Sequence, residues 1–516
     1  MENGYKRKQI KYSNKISLSL LIRALLGRAS VLNIIGKNTT GIKDILYGIK
    51  AAEKIKDYKL LADCFLQLSY IYHSLNSYED MFKTSARAIR FYKKCKNYEG
   101  VANCYNIIGL VYYAKDKYSK SLTYHNKSLK INEKIHYNEG IATNFVNIAI
   151  VYDALGDYKK ALKFYKIGLR LFGKDNVRVG FAYVLNNMGT IYHSLGKNDK
   201  ALEYYKKALK IREEICDNEG IAESYNNVGV IYYAYGLYDK AVEYFYRSLL
   251  IKKKIGALKG QATAYNNIGS VYIAMGNYKK AIKSFEKAII LWEKIGNLSG
   301  QGTIYNNLGY IYLVLGDYNR ALCYLKKSLK INSKIQDLNS VVVCLIHLAN
   351  VNIMLQNFGR VFKLLQRAEK IANEIEKKDS LMRIYIAYCE LMVIKKKFIC
   401  AMEYCKKVHR LASETSSKKG MGEAIFLKAR IYSAQNGEDR KRMAEKKFIE
   451  AIKIFESLGQ QFELAKTYYY FGEMLKDQDK YEANECLNRS ANIFKKIGSE
   501  VWLRKTQSLL SAEGNQ

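Results

Sequence analysis

The chain has 516 residues, 49% of them hydrophobic, a net charge of +37 and no proline. So much apolar content without a low-complexity segment excludes a disordered chain. No stretch reaches the roughly 18 uninterrupted apolar residues of a membrane span, and with proline absent only glycines and short polar loops interrupt helix.

In chain order, residues 1–20 form a basic N-terminal segment in which Lys6, Arg7, Lys8, Lys11 and Lys15 precede the apolar Ile16–Ile22. It looks like a secretory signal only superficially. Arg23 and Arg28 break the apolar stretch, and its phase already matches the first repeat helix. A forty-residue period then runs from Leu21 to Glu500, about twelve units. Residues 21–340 are a regular array, and residues 341–420 are degenerate helical repeats. Residues 421–500 are C-terminal repeats with a small insertion near 436–447 that shifts the phase. Residues 501–516 are a capping helix and tail.

A fixed period of this size marks a solenoid, in which each unit buries its apolar face only against its neighbours. One unit, Ile221–Gly260, shows how. Ala222, Tyr225, Val228, Gly229 and Tyr232 form the apolar stripe of a helix A, Gly236 and Leu237 make the turn, and Ala241, Phe245, Ser248, Leu249 and Ile251 define a helix B. Helix B is expected to run through Lys254 to a glycine-containing loop, of which Asp217-Asn218-Glu219-Gly220 is another example. Gly229, Ala241 and Ser248 fall where the two helices approach closely.

These residues carry a resemblance. Tyr265, Ile268-Gly269, Tyr272, Ala281, Phe285 and Ala288 resemble the signature of the tetratricopeptide repeat. The forty-residue period with a doubled Asn is most similar to the long repeats of LGN/Pins-type scaffolds and kinesin light chains. The resemblance implies an all-α, right-handed superhelical solenoid of antiparallel helix pairs with a concave groove lined by helix A. It implies a non-enzymatic scaffold that binds an extended peptide segment of another protein.

The groove-facing positions are Thr143, Asn147, Ile150, Ala154; Tyr183, Asn187, Thr190, Ser194; Glu223, Asn227, Val230, Ala234; Thr263, Asn267, Ser270, Ala274; and Thr303, Asn307, Tyr310, Val314. Asn147, Asn187, Asn227, Asn267 and Asn307 form a ladder whose amides carry a donor and an acceptor each, which suits the backbone of an extended peptide. Tyr183 and Tyr310 are candidate anchors, and Thr190, Glu223, Ser270 and His347 candidate polar contacts. The adjacent Asn106, Asn186, Asn226, Asn266 and Asn306 read as structural. Only Glu223 of the twenty groove positions is ionised, so neither a phosphate-tracking groove nor a carboxylate clamp is expected there.

The positive charge falls on helix B and the turns, as at Lys159-Lys160, Lys206-Lys207 and Lys279-Lys280. With Lys, Ile, Asn and Tyr abundant it is also what an AT-rich genome produces, which makes nucleic acid or ribosome association the weaker alternative. A peptide-sensing regulator is the other. Such bacterial regulators often carry an N-terminal helix-turn-helix or effector bundle, and the roughly twenty residues before the first repeat are too few for one, which ranks this reading lower. No Walker loop, HExxH or GxSxG occurs. No enzyme activity, cofactor, metal or membrane span is therefore expected. The ten cysteines contain no CxxC pair and read as core fillers, Cys104 and Cys323 among them, which suits a reducing cytoplasmic location.

Overall fold

The computed structural model describes the backbone of residues 2–75, 77–435 and 437–511, with side chains from Lys15 onward; residues 512–516 of the expected tail lie outside the described residues. The described residues fold into helices joined by short turns. The chain divides into two compact units, residues 1–261 and 262–516.

The first unit contains α1 (Glu2–Ile34), α2 (Asn38–Lys54), α3 (Tyr58–Ser74), α4 (Tyr78–Lys94), α5 (Tyr98–Ala114), α6 (Tyr118–Lys134), α7 (Asn138–Ala154), α8 (Tyr158–Lys174), α9 (Arg178–Ser194), α10 (Asn198–Glu214), α11 (Asn218–Ala234) and α12 (Tyr238–Lys254). The boundary falls inside α13 (Leu258–Ala274). The second unit continues with α14 (Tyr278–Lys294), α15 (Leu298–Leu315), α16 (Tyr318–Lys334), α17 (Leu338–Met354), α18 (Phe358–Glu374), α19 (Lys378–Ile394), α20 (Phe398–Glu414), α21 (Lys418–Ser433), α22 (Glu438–Ser457), α23 (Gln461–Leu475), α24 (Lys480–Ile497) and α25 (Glu500–Ser511). Odd-numbered helices are helix A of each hairpin and even-numbered ones helix B.

The forty-residue period is in fact a doubled period of twenty. From α2 to α14 each helix has 17 residues, and three residues separate it from the next. At the described turns the middle residue adopts a left-handed conformation, which releases the chain from one helix and aims it into the next. Glycine serves at Gly156, Gly196, Gly236 and Gly276, but Lys56, Lys96, Asp116, His136, Asn176 and Cys216 do the same at φ between 54° and 55°. The turn residue before the next helix often caps it. Asp157, Asp217, Asn277 and Asp317 each accept a hydrogen bond from the backbone N–H three residues on. This corrects the expected loop Asp217–Gly220: Asp217 is a cap, and Asn218 to Gly220 already form the first turn of α11. The insertion near 436–447 is absorbed in α22, which has 20 residues, so α23 starts about one turn late.

Packing follows the small residues. An atom added at Gly269 would stand 2.6 Å from the Phe285 ring, so only glycine lets α14 lie this close to α13. On the outer side, tyrosines of helix A stack on aromatic rings of helix B, as in Tyr152–Phe164, Tyr192–Tyr204 and Tyr312–Tyr324. A cation eight residues later covers each of these rings: Lys160 over Tyr152, Lys200 over Tyr192, Arg320 over Tyr312. Each such contact contributes about 0.5–1 kcal/mol at an exposed site. Part of the positive charge is therefore structural. Cys64, Cys104, Cys344, Cys389, Cys405 and Cys486 are buried, whereas Cys323 is exposed, contrary to its expected core position.

Within each unit successive A helices touch directly, as in α5–α7, α7–α9 and α17–α19–α21, so they form the inner layer and the B helices the outer one. In the first unit the array returns on itself, with Ile35 at the end of α1 packed near Gly256 after α12. In the second, Ser499 Oγ donates to the Val314 carbonyl at 2.6 Å, and Val501 packs on Gly316. The solenoid's first helix differs from the later ones. Residues 15–34 are, by length and composition alone, long and apolar enough to cross a membrane. Ile22 and Ala29 of that segment are nevertheless fully buried in the core with α2 and α3.

Candidate functional site: the inner face of the A helices

The five ladder asparagines are half-buried on successive A helices, but their amides are not equally free. Asn227 Nδ2 donates to Asn186 Oδ1 at 2.9 Å and Asn307 Nδ2 to Asn266 Oδ1 at 3.3 Å, in each case to the preceding repeat. Asn267 accepts from its neighbour Asn266 at 3.4 Å. Asn187 lies beside Tyr165, and its amide nitrogen is buried without a hydrogen-bond partner. Asn147 has no hydrogen-bond partner among the described residues. The ladder thus has two kinds of rung. Asn227 and Asn307 stitch neighbouring repeats together, while Asn147 and Asn187 are uncommitted.

Other expected contacts are partly satisfied by the fold itself. Thr190 and Ser270 hydroxyls bond to the helix carbonyls of Asn186 and Asn266 four residues back. Glu223 accepts from Arg212 Nη2 at 2.9 Å. Arg212 is 3% exposed and also donates to the Gly220 carbonyl and Ser224 Oγ, so this ion pair is a structural device between α10 and α11. Tyr183 is exposed, as an anchor requires. His347 is corrected: it is buried and its two ring nitrogens are both engaged.

Three stretches, residues 100–173, 180–254 and 260–334, match the family described as tetratricopeptide repeat, and residues 309–395 match anaphase-promoting complex subunit 5. Residues 100–334 of this chain are tetratricopeptide repeats. No curated protein matches it by sequence. Among solved structures, this tetratricopeptide-repeat chain is similar to a Rap protein complexed with competence and sporulation factor, at 15% identity over 69% of this chain and 98% of that one, TM-score 0.46. It is similar to the apo form of the quorum sensor NprR from B. thuringiensis, at 15% identity over 68% of this chain and 98% of that one, TM-score 0.46. Yeast Tom70 aligns at 14% identity over 88% of this chain and 96% of that one, TM-score 0.36.

In the second unit of the repeat array the inner face becomes charged, a feature absent from the sequence reading of the groove. Counting from the first residue of α19, α21 and α23, the same inward position is held by Arg383, Glu423 and Lys466, and a position two turns later by Glu390, Arg430 and Glu473. The two rows alternate in sign along and across the wall. Lys466 Nζ pairs with Glu390 at 3.0 Å, reaching from α23 to α19. Lys419 pairs with Glu463 at 2.6 Å, and Arg430 lies 3.9 Å over the Tyr470 ring. Tyr310, the expected anchor, faces this wall: its ring lies 5.3 Å from that of His347. Burial, with the Glu463 charge next, pushes its hydroxyl up to about 12. Asn350, one repeat after Tyr310, leaves its carbonyl oxygen unpartnered.

A chain of hydrogen bonds orients Arg383. Asn306 Oδ1 can only accept, so His347 donates to it from Nδ1 at 3.1 Å, leaving Nε2 to accept from Arg383 Nη2 at 2.7 Å. Burial, reinforced by the Arg383 charge, holds the imidazole neutral, its pKa well below the ordinary histidine value. One N–H of the guanidinium is fixed and the others are left over.

Proposed function

We propose that this protein is a non-enzymatic interaction scaffold whose inner A-helix face takes up an extended segment of another protein. The carrying observation is the asparagine row of the first unit, Asn147, Asn187 and Asn227 on successive A helices, in which Asn147 makes no hydrogen bond to the fold and the amide nitrogen of Asn187 is left unpartnered. An amide repeating at the spacing of the solenoid meets a backbone that repeats its own donors and acceptors. Neutral hydrogen bonds net about 0.5–1.5 kcal/mol each, while micromolar affinity needs about 8 kcal/mol, so side-chain anchors such as Tyr183 must add to them.

The test is selection of random dodecapeptides displayed on phage against the protein, followed by titration of the enriched peptides. Changing Asn147 and Asn187 together to Ala removes two contacts, about 1–3 kcal/mol, and weakens binding roughly 5- to 150-fold. Enriched peptides that bind this variant at full strength contradict the proposal. Asn227 and Asn307 are avoided because they also join repeats.

A peptide-sensing role is the second reading. It is favoured by the closing contact of Ser499 with Val314 and of Val501 with Gly316, which a change of pitch in the second unit would have to open. Small-angle scattering with and without an enriched peptide separates the two: a scaffold keeps its dimensions and a sensor changes them.

A further inference from the structure

We infer that the inner wall of the second unit is a charge-reading subsite, in which Arg383 receives an acidic group and Glu423 a basic group of the same extended peptide. This rests on the groove reading and adds the chemistry of the segment it selects.

The wall separates into committed and uncommitted charges. Glu390 is held by Lys466 and Glu463 by Lys419. Arg430 stacks on Tyr470. Arg383 and Glu423 are opposite in sign, occupy the same position on consecutive A helices and are half-buried, yet no ion pair joins them and neither forms an ion pair with any other described residue. If the wall served only to fasten α19, α21 and α23 together, this is the pair that would close first. Instead Arg383 is drawn back onto the neutral His347, which orients its remaining donors. Five planar N–H donors with one used suit a carboxylate, which takes two of them side by side.

Glu423 is the complement. It makes no hydrogen bond, and it faces Glu463 and Lys466 of α23, Lys419 of its own helix and Glu390 of α19. Burial first and Glu463 second push its carboxyl up to about 7. A carboxyl poised there is ionised readily by an incoming cation. Adjacent packed helices lie about 8–10 Å apart, and an extended chain rises about 3.3 Å per residue, so the acidic and basic side chains of the ligand are about three residues apart. Arginine or lysine fits the basic position, aspartate or glutamate the acidic one.

The experiment uses the same phage-displayed dodecapeptides. Clones enriched on the full chain carry an acidic and a basic residue about three apart. In fluorescence polarisation, replacing the peptide's acidic residue by its amide weakens binding to the wild type roughly tenfold, the size of a charge-assisted hydrogen bond. On Arg383→Gln that difference disappears while preference for the basic residue remains, and on Glu423→Gln the reverse holds. The basic preference is also larger at pH 8 than at pH 6, because Glu423 takes up a proton between them. Thermal melts confirm that both variants fold, and an unfolded variant is replaced by the charge-neutral Arg383→Met or Glu423→Met in the same cycle. Enriched peptides without the charge pattern, or with charge preferences indifferent to both substitutions, overturn this inference and leave the groove standing. If no peptide is enriched at all, the groove reading fails first.

Discussion

His125 makes the first unit acid-sensitive in a way its neighbours are not. The same position of helix B is Tyr165, Tyr205, Phe245 and Phe285 in the following repeats. His125 is 1% exposed, donates from Nδ1 to Asn106 Oδ1 at 3.0 Å and packs across Gly109. Burial lowers its pKa from 6.5 to about 4. The folded value is depressed, so the unfolded chain takes up the proton first. The stability contribution is complete above about pH 6.5 and is lost as the pH falls toward 4. At about 1.4 kcal/mol per unit, the loss between pH 7 and 4.5 is about 2–3 kcal/mol. His125→Phe supplies the ring type of the other repeats and leaves Asn106 bonded to Asn144 Nδ2 at 2.7 Å. Urea unfolding of both proteins at pH 7 and 4.5, followed by circular dichroism, isolates the difference from the carboxylates common to both. The wild type should lose about 2–3 kcal/mol more than the variant. Parallel losses would refute the reasoning.

At the left-handed turn positions, Gly236→Ala lowers stability by about 1–2 kcal/mol, and Glu376→Gly raises it by up to about 1 kcal/mol, both read from thermal melts. Equal melting temperatures would show that the turn conformation is unstrained. Trp502, 4% exposed among Phe462, Tyr469 and Phe494, anchors α25. Changing it to Ala costs about 3–5 kcal/mol and speeds hydrogen exchange in α24 and α25 and in α15, to which they close. Unchanged exchange in α15 would dissociate the clasp from the rest of the second unit.

The period, the helix pairing and the inward face were legible in the sequence because one row of apolar residues recurs at helical spacing in every unit. The finer period of twenty was hidden. Glycine marks the turn at Gly236 and Gly276, but Cys216 and His136 take the same conformation without a compositional signal. Gly220 reads as a loop residue in the sequence because a glycine inside a capped first turn looks the same as one outside it. Asn227 and Asn307 reach partners forty-one residues back, one repeat plus one residue, a relation visible only once the repeats are stacked. The charged wall is not legible in the sequence because the Tyr-Asn-Asn triplet that indexes the groove ends at Asn307. Beyond it, the longer α22 shifts Lys466 out of register with Arg383 and Glu423.

Ligand is expected along the A helices and not on the basic outer layer. A photo-crosslinking residue at Tyr183, exposed on the inner side of α9, is compared with one at Lys206, exposed on α10 of the outer layer. Irradiated with a peptide enriched on the wild-type protein, the Tyr183 position should capture it and the Lys206 position should not. Capture at Lys206 alone would place the partner on the opposite side of the solenoid and contradict the account.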